Sequence, residues 1–126
     1  MTREEFTELP YLLRAGQVVA CGYTAATLVK YAEHGVLRVV LPEGCCLRRF
    51  QKVQIACMNG WQDTLDLARW RREKNQLRLS AVCEWTGYDK DVIRHIVAAG
   101  GLVSVRPGGI GYAMFRKADV ADWLGF

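Results

Sequence analysis

The chain has 126 residues, which is enough for one ordinary domain or for two very small ones. Apolar residues make up 51% and charged residues 24% of the sequence, and this balance excludes a disordered chain, which would be poorer in apolar residues. Seventeen basic and thirteen acidic residues give a net charge of +4. The excess lies in the first half and the middle of the chain, which is a mild indication of an anionic partner.

Several classes of protein do not fit the sequence. The apolar stretch over residues 11–23 is interrupted by Arg14 and Gln17, and a membrane span needs about 18 apolar residues. The acidic start leads into no apolar core of a signal peptide. Five cysteines without a CxxC pair predict neither a disulfide framework nor a zinc site. We therefore expect a cytoplasmic protein with reduced cysteines and without a membrane contact, a bound metal or a cofactor.

The second half of the chain repeats the first. Residues 12–56 align with residues 77–121 without a gap, at an offset of 65. The recurring positions are turn-forming glycines and prolines and aromatic core residues; identical pairs include Leu12/Leu77, Gly22/Gly87, Tyr23/Tyr88, Gly35/Gly100, Pro42/Pro107, Phe50/Phe115 and Lys52/Lys117. We therefore predict two copies of one small unit.

Each copy predicts the same elements in the same order. A short apolar helix (residues 15–21 or 80–86) ends at a glycine, and Thr24 or Asp89 then caps a second helix. In the first copy, Leu28, Tyr31 and Ala32 have the spacing of one buried helical face. A β-rich run (residues 36–41 or 102–106), a turn at Pro42 or at Pro107-Gly108-Gly109, a returning strand and a last helix follow.

This order of elements is that of a helix-turn-helix with a wing. Between the copies, residues 59–76 predict a connecting helix that ends in the most basic stretch of the chain, residues 69–74. A unit of about 45 residues has a marginal core, so we expect the units to pack on each other or on this helix. The predicted fold is mainly α with small β-hairpin wings: two tandem winged helix-turn-helix units (residues 1–58 and 77–126) joined by the helix in residues 59–76.

The first copy also resembles a known family. Its residues Gly22-Tyr23-Thr24, Leu28 and Tyr31-Ala32-Glu33-His34-Gly35, and its closing group Arg49-Phe50-Gln51-Lys52, are similar to a winged helix of the excisionase and MerR type. The second copy resembles this pattern more loosely, and together the matches cover residues 12–57 and 77–124. The resemblance implies a small DNA-binding protein, either a transcription regulator or an architectural factor in recombination or packaging, with two covalently linked winged helices on duplex DNA.

DNA binding requires cations at the phosphates and side chains that reach base edges. In the first copy the exposed face of the second helix should hold Ala25, Ala26, Val29, Lys30 and Glu33, and the arginines that the family places near Ala25 and Ala26 are absent. In the second copy this face should hold Lys90, Asp91, Arg94, His95 and Ala98. The complete set of predicted DNA-binding residues is Thr24, Thr27, Lys30, Arg48, Arg49, Lys52, Lys90, Arg94, His95, Arg106, Arg116 and Lys117.

A second hypothesis is a protein-interaction or dimerisation module that keeps the winged-helix fold without binding DNA. The apolar face of Ala25, Ala26 and Val29 would then contact a partner protein or a second copy of the chain. The neutral second half and the acids Asp89 and Asp91 favour this alternative. An enzyme is not expected, because the sequence has no phosphate-binding loop, HExxH motif, nucleophile elbow or paired carboxylates.

Overall fold

The computed structural model describes residues 1–106 and 112–126, and the predicted turn at Pro107-Gly108-Gly109 lies outside the described residues. The first half of the chain forms four helices and three strands. In chain order these are α1 (Arg3–Thr7), β1 (Leu12–Leu13), α2 (Ala15–Ala20), α3 (Ala25–Glu33), β2 (Val39–Val40), β3 (Arg49–Gln51) and α4 (Lys52–Asn59).

The second half forms the same series of elements after a short 3-10 helix at Gln62–Thr64. Its elements are α5 (Leu67–Arg72), β4 (Gln76–Arg78), α6 (Leu79–Thr86), α7 (Lys90–Ala98), β5 (Ser104–Val105), β6 (Met114–Arg116) and α8 (Lys117–Leu124). From α3 onward, each helix and strand of the first half recurs in the second half with the same bounds, at the offset of 65. The predicted combination of helices with small β elements is therefore confirmed.

Each half builds one antiparallel three-stranded sheet, with strand order β1-β3-β2 in the first half and β4-β6-β5 in the second. The predicted N-caps are confirmed, because the side chains of Thr24 and Asp89 accept hydrogen bonds from the backbone N–H groups of Thr27 and Val92. These caps fix the start of α3 and of α7, the helices that carry five of the twelve predicted DNA-binding residues.

The register of the repeat differs from the predicted one in its first part. Leu13 lies opposite Phe50 in the first sheet, and Leu77 lies opposite Phe115 in the second. The equivalent of Leu77 is therefore Leu13, not Leu12, which makes the offset at this point 64 instead of 65. Seven residues separate the N-cap Arg14 from Gly22, and eight separate the N-cap Arg78 from Gly87. The extra residue of the second unit therefore lies between the start of this helix and the glycine that follows it.

The repeat also includes one helix more than the sequence predicted. Helix α5 is the counterpart of α1, because each begins at a capping side chain (Thr2 or Asp66) and buries one aromatic residue (Phe6 or Trp70). The prediction of one continuous connecting helix is wrong. Residues 59–76 instead hold the end of α4, the 3-10 helix, α5 and the start of β4. Gly60 ends α4 in a left-handed conformation (φ +73°), and extended Leu65 followed by the N-cap Asp66 separates the 3-10 helix from α5.

The two units pack on each other, as their small size predicts. One hydrophobic core lies within the first unit, whereas the other combines second-unit residues with Tyr11, Leu12 and Val40 of the first. The backbone N–H of Tyr11 donates to the carbonyl oxygen of Trp85 at 2.9 Å, and the two rings lie 5.0 Å apart. This contact fixes the second unit directly against the first.

The hairpin between β2 and β3 contributes to the same interface. Gly44 has φ +82°, and a Cβ atom at this position would lie 2.5 Å from the carbonyl oxygen of His95 and 2.6 Å from Cβ of Ala99. The tip of the first hairpin therefore packs against the C-terminal end of α7. It acts as a packing element between the units and stabilises the helix with which the second unit could contact a ligand.

This close approach predicts a large effect of a small substitution. We expect Gly44→Ala to lower the free energy of unfolding by about 2 kcal/mol, because the added methyl clashes with backbone and strains a left-handed residue. Gly16→Ala is the control: Gly16 is helical, with no atom within 4 Å of its Cβ position, so this change should stabilise the protein slightly. Urea unfolding of both variants measures the difference, and equal midpoints would contradict the packing described.

The sequence also predicts reduced cysteines and the absence of a membrane span. All five cysteines are free thiols. Within residues 1–106 and 112–126, none of the helices combines the length and the apolar character that crossing a bilayer requires.

Candidate nucleic-acid interface

Helix α3 presents the face that the sequence predicts, and that face is mainly apolar. Ala25, Ala26, Val29 and Lys30 are exposed, and Val29 has 57% of its surface accessible. Thr24 and Thr27 use their hydroxyl groups on each other, with the two oxygens 2.8 Å apart. Among the exposed residues of α3, Lys30 is the only cation. The contact of this face with a partner protein or a second copy stays a prediction.

Helix α7 presents a more polar face at the equivalent positions. Lys90, Arg94 and His95 are exposed, as predicted. Asp89 is engaged as the N-cap, with Oδ1 accepting the N–H of Val92 at 2.9 Å. Asp91 lies 3.4 Å from the guanidinium of Arg94, and both side chains are largely exposed. A surface pair of this kind is weak, so Arg94 can exchange the carboxylate for another anion.

The face of α7 forms one wall of a groove of about 710 Å³. Its other walls come from the start of α6 and from the β5 and β6 strands. Four cations line it: Arg78, Lys90, Arg94 and Arg106. Among the described residues that line this groove there is no aspartate or glutamate. We call this groove, with its four cations, the cationic groove.

The same positions in the first unit carry a different chemistry. Lys90, Arg94 and Arg106 correspond to Ala25, Val29 and Leu41 at an offset of 65, and all three first-unit residues are exposed. Only Arg78 has a cationic counterpart, Arg14, since each directly precedes the second helix of its unit. The two units thus share a backbone plan and differ in the charge of this surface.

Three predicted residues at the end of the first hairpin occupy very different surroundings. Arg48 is exposed, so its contact with a phosphate stays a prediction. The guanidinium of Arg49 lies 5.3 Å above the ring of Tyr88 in the second unit, where a cation and an aromatic face attract each other. Arg49 therefore contributes to the packing between the units.

The structure contradicts the prediction that Lys52 contacts DNA. Only 1% of its surface is accessible, and its Nζ donates to the carbonyl oxygens of Thr7 (3.0 Å) and Leu9 (2.9 Å). Nζ also lies 4.7 Å from the ring centre of Tyr11. Burial lowers the pKa of Lys52 to about 8, because the charged form is desolvated. This side chain holds the end of α1 and cannot reach DNA in this conformation.

Lys117 repeats the role of Lys52 in the second unit. Its Nζ donates to the carbonyl oxygens of Arg71 (3.5 Å) and Glu73 (3.0 Å) at the end of α5. Unlike Lys52, it is half-buried, and it lines a second cleft of about 950 Å³ with Arg71 and Arg116. We call this the junction cleft. Arg116 and Lys117 therefore lie at a different site from the cationic groove.

The structure adds two residues that the sequence analysis did not select. Arg78 joins the cationic groove, and Arg71 joins the junction cleft. Arg78 could have been found from its pairing with Arg14, but this pairing requires an offset of 64, and the gapless alignment at 65 conceals it. Arg71 lies in the segment that the sequence predicts as a connecting helix outside the repeat. Its equivalence to a residue of α1 was therefore not recognised.

Comparison of the chain with protein-family models, curated proteins and solved structures finds no match. The resemblance to the excisionase and MerR type therefore has no support beyond the motif residues themselves. Within the part of the chain that the structure describes, no three His, Cys, Asp or Glu residues are grouped closely enough to hold a metal ion. The chemistry available in the cationic groove is that of cations, an exposed tyrosine and apolar side chains.

Proposed function

We propose that this chain binds duplex DNA and that its second unit, acting as a winged helix-turn-helix, makes the principal contacts. The observation that carries this proposal is the cationic groove, in which Arg78, Lys90, Arg94 and Arg106 converge between α7 and the β5–β6 strands. Such a groove attracts the phosphate backbone, which supplies most of the affinity of proteins for DNA.

The residues of the groove divide into two roles. Arg78 and Arg106 lie on the elements that flank α7, where they hold phosphates and orient the unit. Arg94 and His95 lie on the exposed face of α7, which enters the major groove. The guanidinium of Arg94 is suited to donate to O6 and N7 of a guanine. Tyr112 is 87% exposed beside the groove and adds a hydroxyl donor for a phosphate.

The first unit has a supporting role in this proposal. Its hairpin packs on the C-terminal end of α7, and Arg49 lies on Tyr88, directly before the N-cap of that helix. These contacts hold α7 at both ends. The apolar residues Ala25, Val29 and Leu41 make the equivalent face of the first unit a poor surface for phosphates, so one unit binds and the other supports it.

The test is fluorescence anisotropy with a labelled random-sequence duplex, titrated with the full chain at several salt concentrations. If Arg78, Lys90 and Arg106 neutralise phosphates while Arg94 contacts a base, the log–log plot of affinity against salt has a slope of about −2.7, at 0.9 per phosphate contact. Saturable binding with a slope near this value supports the proposal. Absence of binding at low salt contradicts it.

A further inference from the structure

The first unit has a surface equivalent to the cationic groove, in which apolar side chains replace the cations. Strand β2 pairs with β3 in the same register as β5 pairs with β6, at the offset of 65. At this offset, Leu41 takes the place of Arg106. On the returning side of the hairpin, Leu47 takes the place of Tyr112. Both leucines are exposed, with 46% and 38% of their surfaces accessible, so the apolar side of α3 continues onto the hairpin.

Helix α3 and these two leucines form one exposed apolar surface. Four of its residues are the counterparts of residues that line the cationic groove, and they therefore lie around one place: Ala25, Val29, Leu41 and Leu47. Ala26 extends this surface, because it is exposed beside Ala25 on α3. We call these five residues the α3 face. The equivalent groove of the second unit is also open, so the exposure of this surface is a property of the repeated unit. Contiguous exposed apolar patches are typical of contact sites with other proteins.

The shape of the α3 face fits a second copy of itself. Val29 projects from the helix with 57% of its surface accessible, and the single methyl groups of Ala25 and Ala26 leave a shallow place beside it. When two copies of α3 run antiparallel about a two-fold axis near Leu28, Val29 of each copy lies against Ala26 of the other. A two-fold interface requires one surface that offers both halves of the contact, and small residues allow two helices to approach closely.

The charges beside the α3 face also favour a second copy as the occupant. Lys30 and Glu33 are both exposed on α3, so the rim of the face carries both signs. An antiparallel copy of α3 presents the same two charges in the reverse order, which places opposite charges near each other across the interface. The cationic groove, by contrast, carries four charges of one sign and repels the same groove of another copy.

We propose that two copies of the chain associate through their α3 faces to form a symmetric dimer. Five apolar side chains and their rim bury an area at the low end of specific interfaces, below about 1,200 Å² in total. We therefore expect a dissociation constant of about 10 µM. The cationic groove lies on the other unit, and a duplex bound in one groove does not need the second copy, so this proposal does not depend on DNA binding.

Sedimentation equilibrium of the full chain at concentrations between about 2 and 200 µM tests the proposal. The weight-average mass should rise from that of one chain towards that of two. Val29→Glu should raise the dissociation constant by at least about 30-fold, because a two-fold interface buries the new charge twice. Val103→Glu is the matched control: Val103 is a valine of the second unit with 54% of its surface exposed. This change should alter the dissociation constant by less than about threefold.

A mixture of two variants tests the symmetry of the contact. Val29→Glu and Val29→Arg each place like charges on both sides of the two-fold axis, so neither variant should associate on its own. Mixed in equal amounts, they should form a dimer with a dissociation constant within about tenfold of that of the wild type, because opposite charges then face each other.

Three results would overturn the proposal, once circular dichroism has verified that each variant is folded. The first is a wild-type chain that stays monomeric at about 200 µM. The second is a Val29→Glu variant that associates as strongly as the Val103→Glu variant, which would place a dimer contact elsewhere on the chain. The third is a mixture of the two Val29 variants that stays monomeric.

Discussion

Replacing Lys52 with methionine is expected to lower the free energy of unfolding by about 3 kcal/mol. Methionine has a similar length and volume, so the change removes the charge and the donors and leaves little cavity. It leaves the carbonyl oxygens of Thr7 and Leu9, now bonded at 3.0 and 2.9 Å, without their donor in a buried place. An unsatisfied buried acceptor costs about 1–3 kcal/mol.

The internal repeat provides a matched control for this variant. Lys117→Met removes the same pair of contacts in the second unit, where the longer bond is 3.5 Å and water reaches the open junction cleft. We expect it to cost about 1 kcal/mol. Urea unfolding followed by circular dichroism compares the two variants. A smaller effect at Lys52 than at Lys117 would show that Lys52 does not have the structural role described.

The pH dependence of stability gives the same variant a second readout. Burial lowers the pKa of folded Lys52 from 10.5 to about 8. Between these two values the unfolded chain holds the proton that the folded chain has lost, so the contribution of Lys52 to stability rises with pH. The difference in unfolding free energy between the wild type and Lys52→Met should therefore widen from pH 8 to about pH 10. A difference that narrows over this range would contradict the direction of the shift.

The second large effect concerns DNA binding. Arg94→Glu is expected to weaken binding to duplex DNA by about 30-fold or more, since a lost contact costs about 1–3 kcal/mol and the new acid repels phosphates. Val29→Glu is the matched control, because Val29 is the equivalent exposed residue of α3. We expect it to weaken binding by less than about threefold, the effect of one added acid at a distance.

Anisotropy at fixed salt measures both variants, and circular dichroism verifies that each is folded. Since both positions are exposed, neither variant should lose stability. Equal losses of affinity would assign binding to both units and contradict the division of roles proposed here. A larger loss with Val29→Glu would place the DNA on α3.

Much of the fold could be predicted from the sequence because the chain carries its unit twice. Gly35 and Gly100 recur at one offset and end α3 and α7, and the N-caps Thr24 and Asp89 mark where these helices begin. Helix α5 was not recognised as the counterpart of α1, because Phe6 and Trp70 differ in type and align only at an offset of 64. Gly60 is a typical helix-ending residue, but the predicted connecting helix over residues 59–76 ran across it.

The candidate site was harder to predict for a physical reason. A basic residue next to a strand can be a phosphate ligand or a buried structural donor, and its sequence neighbours are the same in both cases. Lys52 is such a residue: its burial depends on α1, which is distant from it in the chain. Arg78 and Arg106 are distant in sequence from Arg94, and the fold alone brings them to one groove.

The most direct test of the account is the salt dependence of DNA binding by a variant with Lys90, Arg94 and Arg106 changed to alanine. If Lys90 and Arg106 hold phosphates and Arg94 contacts a base, the log–log slope becomes less negative by about 1.8 relative to the wild type, at 0.9 per phosphate contact. The result predicted is this change in slope together with an unchanged unfolding transition. A folded variant that keeps the slope of the wild type would contradict the claim that the cationic groove of the second unit is the DNA-binding site.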